Sequence, residues 1–155
     1  MKKLIAGLLA LTLCLTLAIP IWAEEKELPE PVTETDKVDI DLSKVSQTIV
    51  YPQVYYIIAE PEKYLGQTIR VQGVFEAYDS WDGLSHNYYL VVTDSTSCCS
   101  QGLEFIWRGE HAYPEDYPKD YSWIEIGGRL DTYVENGFTF YYIDAGYLNP
   151  AQYRR

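Results

Sequence analysis

Two cysteines stand side by side in the stretch TDSTSCCSQGLEF, residues 93–105. Three chemistries are open to Cys98 and Cys99. As free thiols they would serve as small hydrophobes under a turn. As a bridged pair they would form a vicinal disulfide. Neighbouring Cα atoms lie about 3.8 Å apart across a trans peptide, below the usual disulfide range of about 4.4–6.8 Å. Such a ring is strained and easily reduced, which suits a redox switch or a rigid hydrophobic knuckle. As thiolates they would hold a soft or borderline metal ion such as zinc or copper. Adjacent side chains on a regular strand point to opposite faces. Two sulfurs therefore reach one ion only if the backbone turns there, and Ser95, Ser97 and Ser100 make a polar context that permits it. Asp94 and Glu104 are the neighbouring acids in the expected ligand set. His86, His111 and Asp144 are further donors, at no recognised spacing.

The tyrosines form the second candidate. The chain has fifteen of them, with four tryptophans. Tyr88, Tyr89, Tyr133, Tyr141 and Tyr142 fall on strands expected to be neighbours. A face carrying Tyr89, Tyr133 and Tyr141 would bind a glycan or peptide. Packing of rings across strands accounts for the same residues. In YPEDYPKDYS, Glu115, Asp116 and Asp120 could meet a hard cation, but the spacing fits no calcium loop, and the prolines and tyrosines read as a rigid cover loop. No serine–histidine–acid arrangement, phosphate loop or zinc-protease helix motif is present. The expectation is a binding protein rather than an enzyme.

These residues need elements to place them. TIRVQGVFEAY (68–78) alternates, with Ile69 and Val71 on one face and Arg70 and Gln72 on the other, a strand pattern with Gly73 as a bulge or bend. YYLVVTD (88–94) is apolar on both faces and reads as a central strand. LEFIWRG (103–109) puts Leu103, Phe105 and Trp107 on one face. WIEIGGRLDTYV (123–134) is a fourth strand, kinked at Gly127-Gly128. Asn136-Gly137 is a two-residue hairpin signal, and FTFYYIDA (138–145) returns as a fifth. Before them, Val54, Ile57 and Ile58 fit one face of a short helix that Pro61 ends. Together the expected fold is mainly β, a five-stranded OB-like Greek-key barrel with a short N-terminal helix closing one end.

The N-terminus reads as an export signal. Lys2 and Lys3 precede an almost wholly apolar run from Leu4 to Trp22, and acids follow Ala23. An uncleaved anchor and lipidation at Cys14, after Leu-Thr-Leu, are the alternatives. The formal charge is −11, and cleavage after Ala23 removes two lysines and no acid, taking it to −13. Nucleic-acid binding starts from a basic patch, so no nucleic-acid partner is expected, and membrane contact is expected only through the N-terminal segment. The expected organisation is a signal peptide over 1–23, an acidic disordered linker over 24–47, the barrel domain over 48–147 and a tail over 148–155.

The stretch AEPEKYLGQTIRVQGVF resembles the opening of many exported bacterial OB-fold domains. Cys98-Cys99 followed by Gly102, Glu104 and Phe105, then YPEDYP, is similar to uncharacterised small exported proteins and lipoproteins of Gram-positive bacteria. The paired-cysteine turn also resembles one in the C-terminal domain of permease-associated proteins. The resemblance covers roughly residues 52–147. It implies the fold and export to the cell envelope or beyond, and brings no established activity. The functional expectation is an exported, non-catalytic binding module. Its ligand is a metal at the cysteine turn or, alternatively, a protein or glycan on the tyrosine face. An envelope protein or a small ligand is the expected partner.

Overall fold

The computed structural model describes residues 28–80 and 83–152. The expected signal segment and Cys14 lie outside the described residues. Among these, no helix is long and apolar enough to cross a membrane. The elements are β1 (Ile40–Asp41), α1 (Gln47–Ala59), a 3-10 turn (Pro61–Lys63), β2 (Thr68–Asp79), β3 (His86–Thr93), β4 (Ser100–Trp107), β5 (Trp123–Glu135) and β6 (Phe138–Pro150).

The protein is mainly β, with one six-stranded sheet rather than the expected five strands. The strand order is β1-β2-β3-β4-β6-β5, and β2 also pairs with β5, so the ladder returns from β5 to β2. All neighbours are antiparallel except β1 with β2 and β4 with β6. Strand β2 serves three partners: Thr68–Val74 face β5, Val74–Asp79 face β3, and Ile69 and Arg70 also pair with the short β1. Gly73 sits at this hand-over. A Cβ there would lie 2.6 Å from the carbonyl oxygen of Val91. The glycine is needed for close approach; the β2–β5 register runs past it without a shift, and the β2–β3 register begins at the next residue, Val74. The bulge that does occur is at Gly127/Gly128, in the β5–β6 ladder. Asn136 and Gly137 form the expected two-residue turn, at φ 51° and 82°, between the paired residues Glu135 and Phe138.

Inward positions alternate as a half-buried sheet requires. Ile69, Val71, Phe75, Leu90, Val92, Leu103, Phe105, Ile124, Ile126, Leu130 and Ile143 make one core. Helix α1 adds Val50, Val54 and Ile57, an i, i+4, i+7 stripe. Ile58 is a correction: it lies about 100° further round the helix than Ile57 and is exposed.

The larger correction is at the N-terminus. Residues 28–46, read from composition as disordered linker, are packed on the domain: 28–38 lie as a strap over β2 and β6, and β1 then pairs with β2. Val32 and Val38 bury against Tyr147, and Leu42 joins the main core. Arg70 holds the strap from below: its Nη2 donates to the carbonyls of Glu34 (2.7 Å) and Asp36 (2.9 Å), and its Nε to the Tyr147 hydroxyl (2.8 Å). Arg108 Nη1 donates to the Pro29 carbonyl (2.5 Å) while the same guanidinium pairs with Asp144. Thus Arg70 and Gln72, outward on the strand as their alternation requires, are nevertheless buried. The tail is corrected too, since β6 runs on to Pro150.

Gly146 marks where strap and sheet touch. A Cβ on it would lie 2.1 Å from the Val32 carbonyl oxygen and 2.7 Å from its nitrogen. Both are backbone atoms, so the strap itself has to move. Gly146→Ala should lower stability to urea by about 1–3 kcal/mol, as overpacking does. It should also open residues 28–40 to limited proteolysis. Unchanged cleavage kinetics there would show that the strap does not depend on this contact.

Candidate functional site

Residues 94–99 join β3 to β4. The backbone closes the loop with Asp94 N donating to the Cys99 carbonyl at 3.0 Å. Ser97 takes φ 57°, a left-handed conformation that breaks the strand alternation. Asp94 then organises the interior of the turn. Its carboxylate accepts from the backbone N–H groups of Thr96 (3.2 Å) and Cys98 (3.0 Å), the Thr96 hydroxyl (2.9 Å) and the Cys98 thiol (3.2 Å). This is the local pairing that Asx turns use. The consequence is that both thiols face the same side. Cys98 Sγ and Cys99 Sγ are 3.5 Å apart, both are free, and both are exposed. One donor atom each from Asp94, Cys98 and Cys99 falls within 4.8 Å of the others.

The electrostatics follow from this crowding. Burial acts to raise the Asp94 carboxyl, but hydrogen bonds from Cys98, Thr96 and the backbone outweigh it and hold Asp94 below the usual carboxylate range. Cys99 is pushed up, first by its hydrogen bond and charge interaction with Cys98, then by desolvation and the charge of Asp94; Tyr51 of α1 opposes this as a hydrogen-bond partner. A bound cation would reverse the balance, because it favours both thiolates over the thiols.

Glu104 does not join this cluster. It stands on β4 opposite Tyr89 of β3, and its Oε1 accepts the Tyr133 hydroxyl at 2.9 Å. Its carboxyl is half-buried and raised, first by desolvation and further by Glu135, against the lowering effect of Tyr133. The histidines are elsewhere as well. His86 opens β3 while Asp94 follows its end, so an eight-residue strand, roughly 25 Å long, separates them. His111 stacks on Trp107 at 3.5 Å between ring centroids. Asp144 is committed to Arg108. In the cover loop, Asp116 accepts the Ala112 N–H (2.7 Å) and Asp120 the Ala77 N–H (3.2 Å), which is backbone capping.

The tyrosine face divides in two. Tyr89 and Tyr141 line a cleft of about 210 Å³ between α1, β4 and β6, where the Tyr141 hydroxyl donates to Glu62 at 2.8 Å. Tyr133 lines a different and larger cavity and stacks on Phe140 at 5.2 Å. Glu104 borders both spaces. Tyr88 is a packing residue, stacked on Tyr117 at 4.2 Å over the end of the core.

No protein-family model matches this sequence, and no curated protein matches it. Among solved structures, the chain is similar to the N-terminal domain of PriB protein from Thermoanaerobacter tencongensis. The identity is 15% and the TM-score 0.39, over 56% of this chain and 97% of that chain.

Thr96 and Tyr51 are partners of the Asp94–Cys98–Cys99 turn that the sequence did not single out. The Asp-Ser-Thr spacing carries the signal for Thr96, since an aspartate commonly accepts the N–H two residues on. Tyr51 arrives from another element and carries none.

The raised Cys99 thiol has a measurable consequence. Alkylation of the reduced protein near neutral pH should label the two cysteines at different rates, because the thiolate is the nucleophile. Cys98→Ala should speed labelling of Cys99 roughly threefold, and Tyr51→Phe should slow it. Peptide mass mapping reads both rates. Equal rates in all three proteins would show that the turn does not couple the thiols.

Proposed function

We propose that this chain is an exported, non-catalytic binding module whose Asp94–Cys98–Cys99 turn takes a soft or borderline metal ion, with zinc the best fit. The observation carrying this reading is the 3.5 Å separation of the two sulfurs on one side of an exposed turn. Zinc–sulfur bonds are about 2.3 Å. An ion at that distance from both sulfurs would subtend about 100° between them, close to a tetrahedral angle. Asp94 supplies a third, oxygen donor. A linear two-sulfur copper(I) site would need the sulfurs further apart. Three protein donors leave a fourth position for water or a donor from a partner, as in open zinc sites. The turn would therefore suit sensing or handing on an ion.

The pairing circuit β2–β3–β4–β6–β5–β2 supports reading the fold as an OB-like Greek-key barrel. The signal-like N-terminus supports an extracytoplasmic location, secreted or at the envelope. A formal charge of −11 supports ligands other than a phosphate backbone. A second reading, a protein- or glycan-interaction domain using the tyrosine face, is favoured by the two clefts that meet at Glu104. In it the cysteines would be a structural or redox pair.

The metal reading is tested by native mass spectrometry and zinc titration of the reduced, chelator-free protein. One equivalent should bind. Cys98→Ser/Cys99→Ser should weaken binding by at least roughly a hundredfold, and Asp94→Asn by roughly tenfold. Because both cysteines are exposed, the double variant should keep its urea midpoint. Stoichiometric zinc retained by the double variant would sink the proposal.

A further inference from the structure

A cavity away from the cysteine turn has a chemistry that the metal turn does not use. It holds about 450 Å³, within the range of about 300–1,000 Å³ typical of small-ligand sites. It lies between the start of β3, the middle of β4 and the end of β5. Four aromatic rings line it, those of Tyr88, Phe105, Tyr117 and Tyr133, together with two carboxylates, Glu104 and Glu135. Among the described residues, no lysine or arginine is in its lining. Ile106 and Val134 add exposed apolar surface at its mouth, at 46% and 71% exposure.

We infer that this cavity binds an organic cation, a protonated amine or quaternary ammonium carried on an apolar body. Four observations converge on that class. Aromatic faces attract a cation through the ring quadrupole, the more so where it is desolvated. Glu104 faces the site with one oxygen engaged by Tyr133, and among the described residues no lysine or arginine lies against the other. Desolvation first, and then repulsion from its neighbour Glu135, raise the cost of keeping Glu104 ionised. A bound cation would relieve that repulsion. Lastly, the lining excludes the other classes. An anion would meet two carboxylates and, among the described residues, no lysine or arginine. A hard metal ion wants six or more oxygen ligands, and these walls are mostly ring. The apolar mouth fits the carbon body that an organic cation brings and an inorganic one lacks.

The site shares no residue with Asp94, Cys98 or Cys99, so its test stands apart from that of the metal reading. The probe is choline, followed by calorimetry and by chemical-shift changes at Glu104 and Tyr133 in the full chain. Its neutral carbon isostere, 3,3-dimethylbutanol, is the control. Nα-acetyl-lysine amide tests whether the cation arrives on a peptide rather than as a free ammonium compound. Choline or the lysine probe should bind saturably, and the isostere at least about tenfold more weakly. Glu104→Gln, which keeps the shape and the acceptor for Tyr133, should cost about tenfold in affinity with an unchanged melting temperature. Cys98→Ser/Cys99→Ser should bind the cation like the parent chain. Equal binding of the isostere, or full binding by Glu104→Gln, would overturn the inference. So would the absence of saturable binding by either cation.

Discussion

The ladder has to close on itself, and the rest of the structure follows from that constraint. Strand β2 is shared by β5 along its first half and β3 along its second. To be wrapped in this way it passes close to β3 at Gly73, where no side chain would fit. The β5–β6 ladder makes its matching bend at Gly127/Gly128, where a Cβ on Gly128 would lie 2.3 Å from the Asp144 carbonyl oxygen. These bends are backbone constraints, and they locate the glycines more firmly than any turn preference could.

Closure also makes the clefts. Strand β4 pairs with β3 from Ser100 to Phe105, but with β6 only from Phe105 to Trp107. Before Phe105 its second edge has no strand beside it. Helix α1 covers part of that gap with Val54 and Ile57, and the hydrogen bond from Tyr133 to Glu104 spans another part. The surface spaces on either side of Glu104 are what remains. The same geometry carries the β3–β4 turn beyond the ladder. Its cysteines are exposed for that reason, free of the core that would have made them ordinary hydrophobes.

Charge organises the outside differently from the inside. Arg70 and Arg108 both spend donors on backbone carbonyls of the N-terminal strap. Each also has an acidic neighbour, Asp41 for Arg70 and Asp144 for Arg108. A buried guanidinium left without such partners would be costly. The strap is therefore as much a set of acceptors for Arg70 as a cover for Val32, Val38 and Tyr147. Its acidic, proline-containing composition reflects its outer surface and hides this inner one.

Period-two alternation, the Gly127-Gly128 pair and an Asn-Gly turn made five strands and their hairpin legible in the sequence alone, because those signals are local. The polar, serine-rich setting of Cys98-Cys99 also marked an irregular, exposed turn, and Asp94 as its neighbour. Glu104 was beyond reach by the same logic: it is near the cysteines in the chain, but strand geometry carries it toward Tyr133, twenty-nine residues away. The strap, the burial of Arg70 and Gln72, and the grouping of Glu104 and Glu135 with four rings were decided only by tertiary structure. Each depends on contacts between segments far apart in the chain, and neither composition nor periodicity records which distant segment will cover a given face.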